Sequence, residues 1–211
     1  LSDIVVTAQR REQSLQDVPI AITAFSAETL ERTNATGIQD IAGKVPGVTL
    51  TEFNIGEPQI YIRGVGTTSD SAASDPSIGV SIDEVSIGRA GASSLAFLDV
   101  ERVEILRGPQ GTLYGRNASG GALNVYTKQP TADRFLSLTG RVGSFEEYGV
   151  EGVLNGEMAE GTDGRLAFRW NTNDGYAESV PSGRSLQGGT QFGARGQIRR
   201  TFGDVTALIG L

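Results

Sequence analysis

The hydrophobic period of this chain changes near residue 131, and from there onward it alternates. In "RFLSLTGRVG" Leu136, Leu138 and Val142 fall on one side of an extended strand, and Ser137, Thr139 and Arg141 on the other. "YGVEGVLNGEM" separates Tyr148, Val150, Leu154 and Met158 from Glu151, Asn155 and Glu157. "RLAFRWN" separates Leu166, Phe168 and Trp170 from Arg165, Arg169 and Asn171. "FGARGQIRR" separates Phe192, Ala194 and Ile198 from Arg195, Gln197 and Arg199, and "VTALIGL" gathers Val205, Ala207, Ile209 and Leu211. Five consecutive segments of this kind restrict the region to antiparallel sheet. Two architectures satisfy the pattern: a soluble sheet with one wet face, such as a β-sandwich, and the wall of a transmembrane β-barrel.

The connections bear on that choice. They run short, medium, long and short ("SFEE", "AEGTDG", "DGYAESVPSGRSLQGGT", "GD"), which places the longest on one side of the sheet. Outer-membrane barrels distribute their loops in this way. Phe135, Tyr148 and Phe202 stand near strand ends, where an interfacial girdle needs aromatic rings. Five strands are too few to close a barrel of useful width, so this region is expected to be part of a larger one.

Composition removes much conventional chemistry. The chain has 211 residues, no cysteine and no histidine, which excludes thiol nucleophiles, disulfides and Ser-His triads and removes most zinc or haem sites. No catalytic centre, cofactor or resident metal is expected. With 18 Lys+Arg against 25 Asp+Glu, bulk charge speaks against nucleic acid. No run reaches the roughly 18 apolar residues of a spanning helix, and the N-terminus lacks a signal-peptide pattern.

Two further regions precede the alternating one. Residues 1–12, "LSDIVVTAQRRE", hold a β-prone run at 4–7 with no neighbouring strand in sequence to pair with. Residues 13–129 mix short elements into an α+β domain with a small mixed sheet, short helices and long loops. "PIAITAF" reads as a strand, Ser26 as the cap of "AETLERT", and Thr36 to Gln39 as a capping box before "IAGKV". "VTLTEF", "QIYIRG", "GVSIDEV" and "VERVEIL" follow as strands.

The stretch "RGPQGTLYGRN" has the glycines of a phosphate loop but not the Lys followed by Ser or Thr that such a loop requires. It is read instead as a strand end, a single helical turn with Pro109 in its first position and Gly115 at its exit, and a return strand in "GALNVYTK". Within "VERVEILR", Val103 and Ile105 share one face, and Arg102 and Glu104 the other. Charge on an interior strand is acceptable only against a hydrated wall with complementary groups.

"RGPQGTLYGRNASGGALNVYTKQP", together with "IYIRGVG", "VSIDEV" and "DIVVTAQRRE", resembles the plug domain of TonB-dependent outer-membrane receptors followed by the opening strands of their barrel. The resemblance covers nearly the whole chain. It implies an α+β plug domain (13–129) between a TonB-box segment (1–12) and about five strands of a partial transmembrane β-barrel (130–211). It also implies active uptake of a scarce nutrient, such as a ferric siderophore, through the bacterial outer membrane. The partners implied are a TonB-type energy-transducing protein, a small-molecule ligand such as a metal chelate, and outer-membrane lipid.

Residue by residue, Asp3, Ile4, Val5, Val6, Thr7 and Ala8 match the TonB box, a strand that can add to a partner's sheet edge. Arg89, Tyr114, Arg116 and Asn117 lie in loops that the resemblance turns outward, and they are candidate ligand contacts because cations and amphipathic rings suit anionic or catecholate ligands. Arg63, Arg102, Glu104 and Arg107 are candidate plug-to-barrel contacts. The competing reading is a soluble or periplasmic binding or signalling module with a plug-like domain and a β-sandwich.

Overall fold

The computed structural model describes residues 5–7, 13–52, 58–67, 76–88, 97–115, 117–182, 185–186 and 188–210. The chain divides after Thr127 into two compact units.

In chain order the first unit carries β1 (Val5–Val6), β2 (Gln13–Ser14), β3 (Ile22–Ser26), α1 (Ala27–Arg32), α2 (Ile38–Ala42), β4 (Val48–Glu52), β5 (Pro58–Ile62), β6 (Ile78–Ile82), β7 (Val85–Ile87), β8 (Val100–Arg107), α3 (Gly111–Tyr114) and β9 (Gly121–Thr127). Its centre is a five-stranded mixed sheet in the order β3-β8-β9-β6-β7, parallel only between β6 and β9. The alternation seen in the sequence decides what each face meets. Phe25, Val103, Ile105, Leu123 and Val125 enter the main core with Leu30 of α1, Ile38 and Ile41 of α2, and Val48 and Ile62 of the β4–β5 hairpin. The opposite face carries a smaller apolar cluster of Val6, Val18, Leu106 and Ala122.

Local chemistry fixes the helix starts. Ser26 Oγ accepts the Thr29 N–H at 3.4 Å, while Glu28 and Arg32 complement the dipole of α1 at its two ends. The box expected at Thr36 and Gln39 is displaced by one residue. Gly37 is the N-cap, and Asp40 Oδ2 accepts the N–H groups of Thr36 at 2.7 Å and Gly37 at 3.0 Å. A carboxylate is the stronger acceptor at a helix N-terminus, so Asp40 takes the role assigned to Gln39. The helical turn α3 likewise begins at Gly111 rather than at Pro109, with Gly115 at φ +83° ending it as expected. Between β6 and β7 both turn residues, Asp83 and Glu84, have positive φ, +46° and +67°. Asp83 also accepts the N–H and hydroxyl of Thr127 at 2.8 and 2.6 Å, which ties down the end of β9.

The N-terminal run departs from expectation. It has an internal partner: β1 pairs antiparallel with β2, and Val6 is fully buried against Leu106 and Ala122. The polar segment at 13–14 supplies main-chain groups, which hydropathy does not register.

The second unit carries β10 (Phe135–Gly143), β11 (Glu147–Ala159), β12 (Thr162–Asn173), β13 (Ala177–Glu178), β14 (Ser185–Leu186), β15 (Gly189–Phe202) and β16 (Val205–Gly210). Five of these form an antiparallel meander, β10-β11-β12-β15-β16. Its register stacks Leu138, Gly152, Phe168 and Ala194 in one rung and Leu136, Leu154 and Leu166 in the next, giving one continuous apolar face. That face is the exposed one: Leu136 and Leu154 are 73% and 55% accessible, whereas Asn155, Arg165 and Gln197 on the other face are buried. Ion pairs Glu151–Arg169 at 2.7 Å and Asp163–Arg199 at 2.6 Å link neighbouring strands on the polar side.

Two details correct the sequence reading. The connection expected to be of medium length is only Glu160 and Gly161, because β11 and β12 continue through "MA" and "TDG"; the long connection folds into the β13–β14 hairpin. Phe135 pairs with Asn155 on the polar face, with the Arg165 guanidinium 5.5 Å from its ring centre, so it is not part of an apolar girdle. Tyr148 and Phe202 remain on the apolar face by register with Val142 and Val205.

Candidate functional site

The charged face of β8 forms a cradle for β1. Glu104 is completely buried, and its Oε1 accepts the Thr7 N–H at 2.9 Å and the Arg102 Nε at 2.9 Å, with the Thr7 hydroxyl at 3.4 Å. Arg102 Nη2 donates to Thr7 Oγ1 at 3.0 Å, and its guanidinium lies 3.8 Å from the centre of the Tyr126 ring. Burial pushes the Tyr126 phenol up to about 12, with the Thr7 side chain opposing that rise. Thr7 is therefore held through its backbone and its hydroxyl by two side chains of β8. The hydrated wall expected opposite Arg102 and Glu104 is, in this cradle, the chain's own N-terminal strand.

A buried carboxylate is stable only where donors surround it. Here they are unevenly shared: Oε1 takes the contacts, and Oε2 has no hydrogen-bond partner among the described residues. Next to it in the same rung stands Asn124, the register partner of Glu104. Its Oδ1 accepts from Ser81 Oγ at 2.8 Å, and its Nδ2 donates to the Tyr114 hydroxyl at 2.9 Å.

The candidate residues fall into separate places. Of the six strand residues, Val5, Val6 and Thr7 are described, with Val5 exposed, Val6 buried and Thr7 in the cradle; Asp3, Ile4 and Ala8 lie outside the described residues. Arg89 and Arg116 also lie outside them. Tyr114 turns its hydroxyl inward to Asn124 and packs against the smaller cluster, and the Oδ1 of Asn117 has no hydrogen-bond partner among the described residues. Arg63 and Arg107 come together at another corner. Arg107 Nη1 donates to the Pro46 carbonyl at 3.2 Å, and Arg63, at φ +53°, donates its N–H to Gly47 at 2.7 Å. Arg102 and Glu104 lie in the cradle, where both contact Thr7. Sequence reasoning missed Asn124 and Tyr126; the signal was present in "ALNVYT", where they alternate with Leu123 and Val125 opposite the charged residues of β8.

The first unit is a mixed-sheet domain that cradles its N-terminal strand, and the second is an amphipathic antiparallel meander with its apolar face exposed. Residues 14–122 match the family described as the TonB-dependent Receptor Plug Domain. The chain is 30% identical to the vitamin B12 transporter BtuB of Photobacterium profundum over 175 residues, 82% of this chain and 28% of that one. It is also 30% identical to the pesticin receptor of Yersinia pestis over 194 residues, 90% of this chain and 28% of the relative. Among solved structures, the ferric yersiniabactin uptake receptor FyuA from Yersinia pestis superposes with a TM-score of 0.73 at 28% identity, over 85% of this chain and 28% of that one. The chain belongs to the TonB-dependent receptors, outer-membrane β-barrel proteins of Gram-negative bacteria, and it spans about a quarter of the length of these relatives.

Proposed function

We propose that this chain is the plug and the opening of the barrel wall of a receptor for active uptake of a scarce nutrient. The class favoured is a metal chelate of the ferric siderophore type, and a TonB-type partner drives uptake by gripping residues 3–8. The observation that carries the reading is the cradle: a two-residue strand with Val5 exposed is held on the plug by its pairing with β2, the burial of Val6 and the polar contacts to Thr7. Such a strand can leave and add to another sheet edge through main-chain hydrogen bonds, which require little of its side chains. Relatives named as a vitamin B12 transporter and a ferric yersiniabactin uptake receptor support the nutrient class. The cationic candidates Arg89 and Arg116 suit an anionic chelate better than neutral cobalamin.

The test is accumulation of radiolabelled ferric chelates and of radiolabelled cobalamin in cells with and without the full-length receptor, each with and without an energised inner membrane. Energy-dependent accumulation of a ferric chelate is expected. Accumulation of cobalamin alone overturns the substrate class, and energy-independent entry overturns the driven mechanism.

A further inference from the structure

We propose that Asn124 is a switching residue, and that loss of its hydrogen bond to Tyr114 releases Thr7 from Glu104. The inference rests on the reading of the N-terminal strand as the partner-binding segment and adds how its release is controlled. Three facts carry it. Ala24, Glu104, Asn124 and Ser81 lie side by side across β3, β8, β9 and β6, on the sheet face that also receives β1 and α3. Glu104 is fully buried and presents an Oε2 with no partner among the described residues. Asn124, 1% exposed, has its amide oriented by Ser81 at its oxygen and by Tyr114 at one N–H, so a residue of the α3 turn helps to set the plane of the amide.

The orphaned oxygen is the unusual element. An unsatisfied buried carboxylate oxygen is costly, and the nearest rung neighbour carries an amide turned so that one of its two N–H groups donates to Tyr114. Directly opposed side chains on an antiparallel pair approach closely enough to interact. With the Tyr114 hydroxyl withdrawn, the Asn124 amide turns about its terminal torsion and donates to Glu104 Oε2. The carboxylate then tilts toward β9, and Oε1 moves away from the Thr7 N–H. Arg102 keeps the carboxylate charge compensated through Nε, so the cost of the exchange falls on the Thr7 contacts. The turn that bears Tyr114 leads on to Asn117, so anything that draws this turn outward acts on the N-terminal strand through a single amide.

The experiment uses full-length receptor in outer-membrane vesicles, with Val6→Cys as the reporter and a membrane-impermeant maleimide as the probe. Val6 is fully buried, so parental labelling is slow. Tyr114→Phe keeps the ring and removes the hydroxyl, and it is expected to speed labelling about tenfold or more, the change that loss of one charge-assisted hydrogen bond gives. Adding Asn124→Ala to Tyr114→Phe removes the competing amide and is expected to return labelling to the parental rate. Ile41→Cys, equally buried in the main core, is expected to stay protected throughout. Unchanged labelling in Tyr114→Phe overturns the proposal. Faster labelling in the double variant than in Tyr114→Phe also overturns it, because two lesions that merely loosen the fold add. So does equal gain at Ile41→Cys, which marks general unfolding. The readout is taken on the receptor alone, so it stands apart from whether a TonB-type protein takes the released strand.

Discussion

The backbone N–H of Thr7 meets Oε1 of Glu104 at 2.9 Å across 97 positions of sequence. This contact makes the N-terminal strand part of the plug fold, and it sets what substitutions in the strand should do.

Val5 pairs with Ser14 and is half exposed, so Val5→Ala changes little in the resting fold. Val5→Pro removes an N–H and fixes φ, which disrupts any ladder the strand joins. Full-length receptor carrying Val5→Pro is expected to reach the outer membrane and bind substrate at its surface normally, yet to accumulate almost none, while Val5→Ala transports. Surface binding and accumulation measured in the same cells check this. Normal accumulation by the proline variant removes the segment from energy transfer.

Glu104→Ala leaves the Thr7 N–H and Arg102 without their acceptor in a buried place. The expected cost to docking of β1 is about 1–3 kcal/mol. Hydrogen exchange of the peptide spanning residues 1–14 is expected to speed up, with exchange in α2 unchanged.

Tyr126 titrates at about 12 because it is buried. Its raised value means that the folded state holds the proton more tightly than the unfolded chain. The stabilisation is complete below pH 10 and is lost as pH rises through about 12. Thr7→Ala removes the side-chain hydroxyl that lowers this value, so the Tyr126 midpoint should move higher still. Tyrosinate absorbance, taken as the difference from Tyr126→Phe, reads it. A midpoint that falls in Thr7→Ala contradicts this assignment.

On the meander, a lipid-soluble quencher should reach a label at Leu154 better than one at Glu151. The reverse order disproves the face assignment. Leu154→Arg is expected to cost up to about 2–4 kcal/mol, depending on its depth in the bilayer.

Gly121 has φ +154°, and a Cβ there would stand 2.4 Å from the Leu106 carbonyl oxygen in the paired strand. The nearest atoms belong to the Leu106 backbone, which cannot swing aside, and Ile62 Cδ1 also crowds the position. Gly121→Ala is expected to lose roughly 1–3 kcal/mol or more, read as a fall in receptor level and in its unfolding temperature. Gly140→Ala, with open space at its Cβ, is the matched control.

The period-two segments after residue 131 were legible because each side chain's face follows from counting, and Leu136 and Leu154 stand where counting puts them. The strands of the mixed sheet were legible for the same reason. Pairing was not. The partner of Val5 and Val6 is a polar dipeptide that contributes main-chain groups, and composition does not encode main-chain complementarity. The cradle was half visible: Arg102 and Glu104 stood out as charges on an interior strand, but what they faced required β9 to bring Tyr126 and Asn124 beside them. Asp40 displaced Gln39 at the start of α2 because a one-residue shift costs little where two acceptors compete for the same amides. Phe135 stands on the polar face, where counting from Leu136 puts it; nearness to a strand end does not decide a face.

Asn155 has a mechanical consequence. Its Nδ2 donates to the Thr131 carbonyl, the Thr131 hydroxyl and the Asp133 carbonyl, its Oδ1 accepts the Thr131 N–H, and Arg165 Nη1 supports that same oxygen. The segment just before β10 is thereby sewn to the middle of the next strand. Tension travelling along the backbone from upstream reaches this knot before it reaches the first ladder bond of β10, and it loads several bonds at once instead of peeling them singly. The wall begins with its own strain relief.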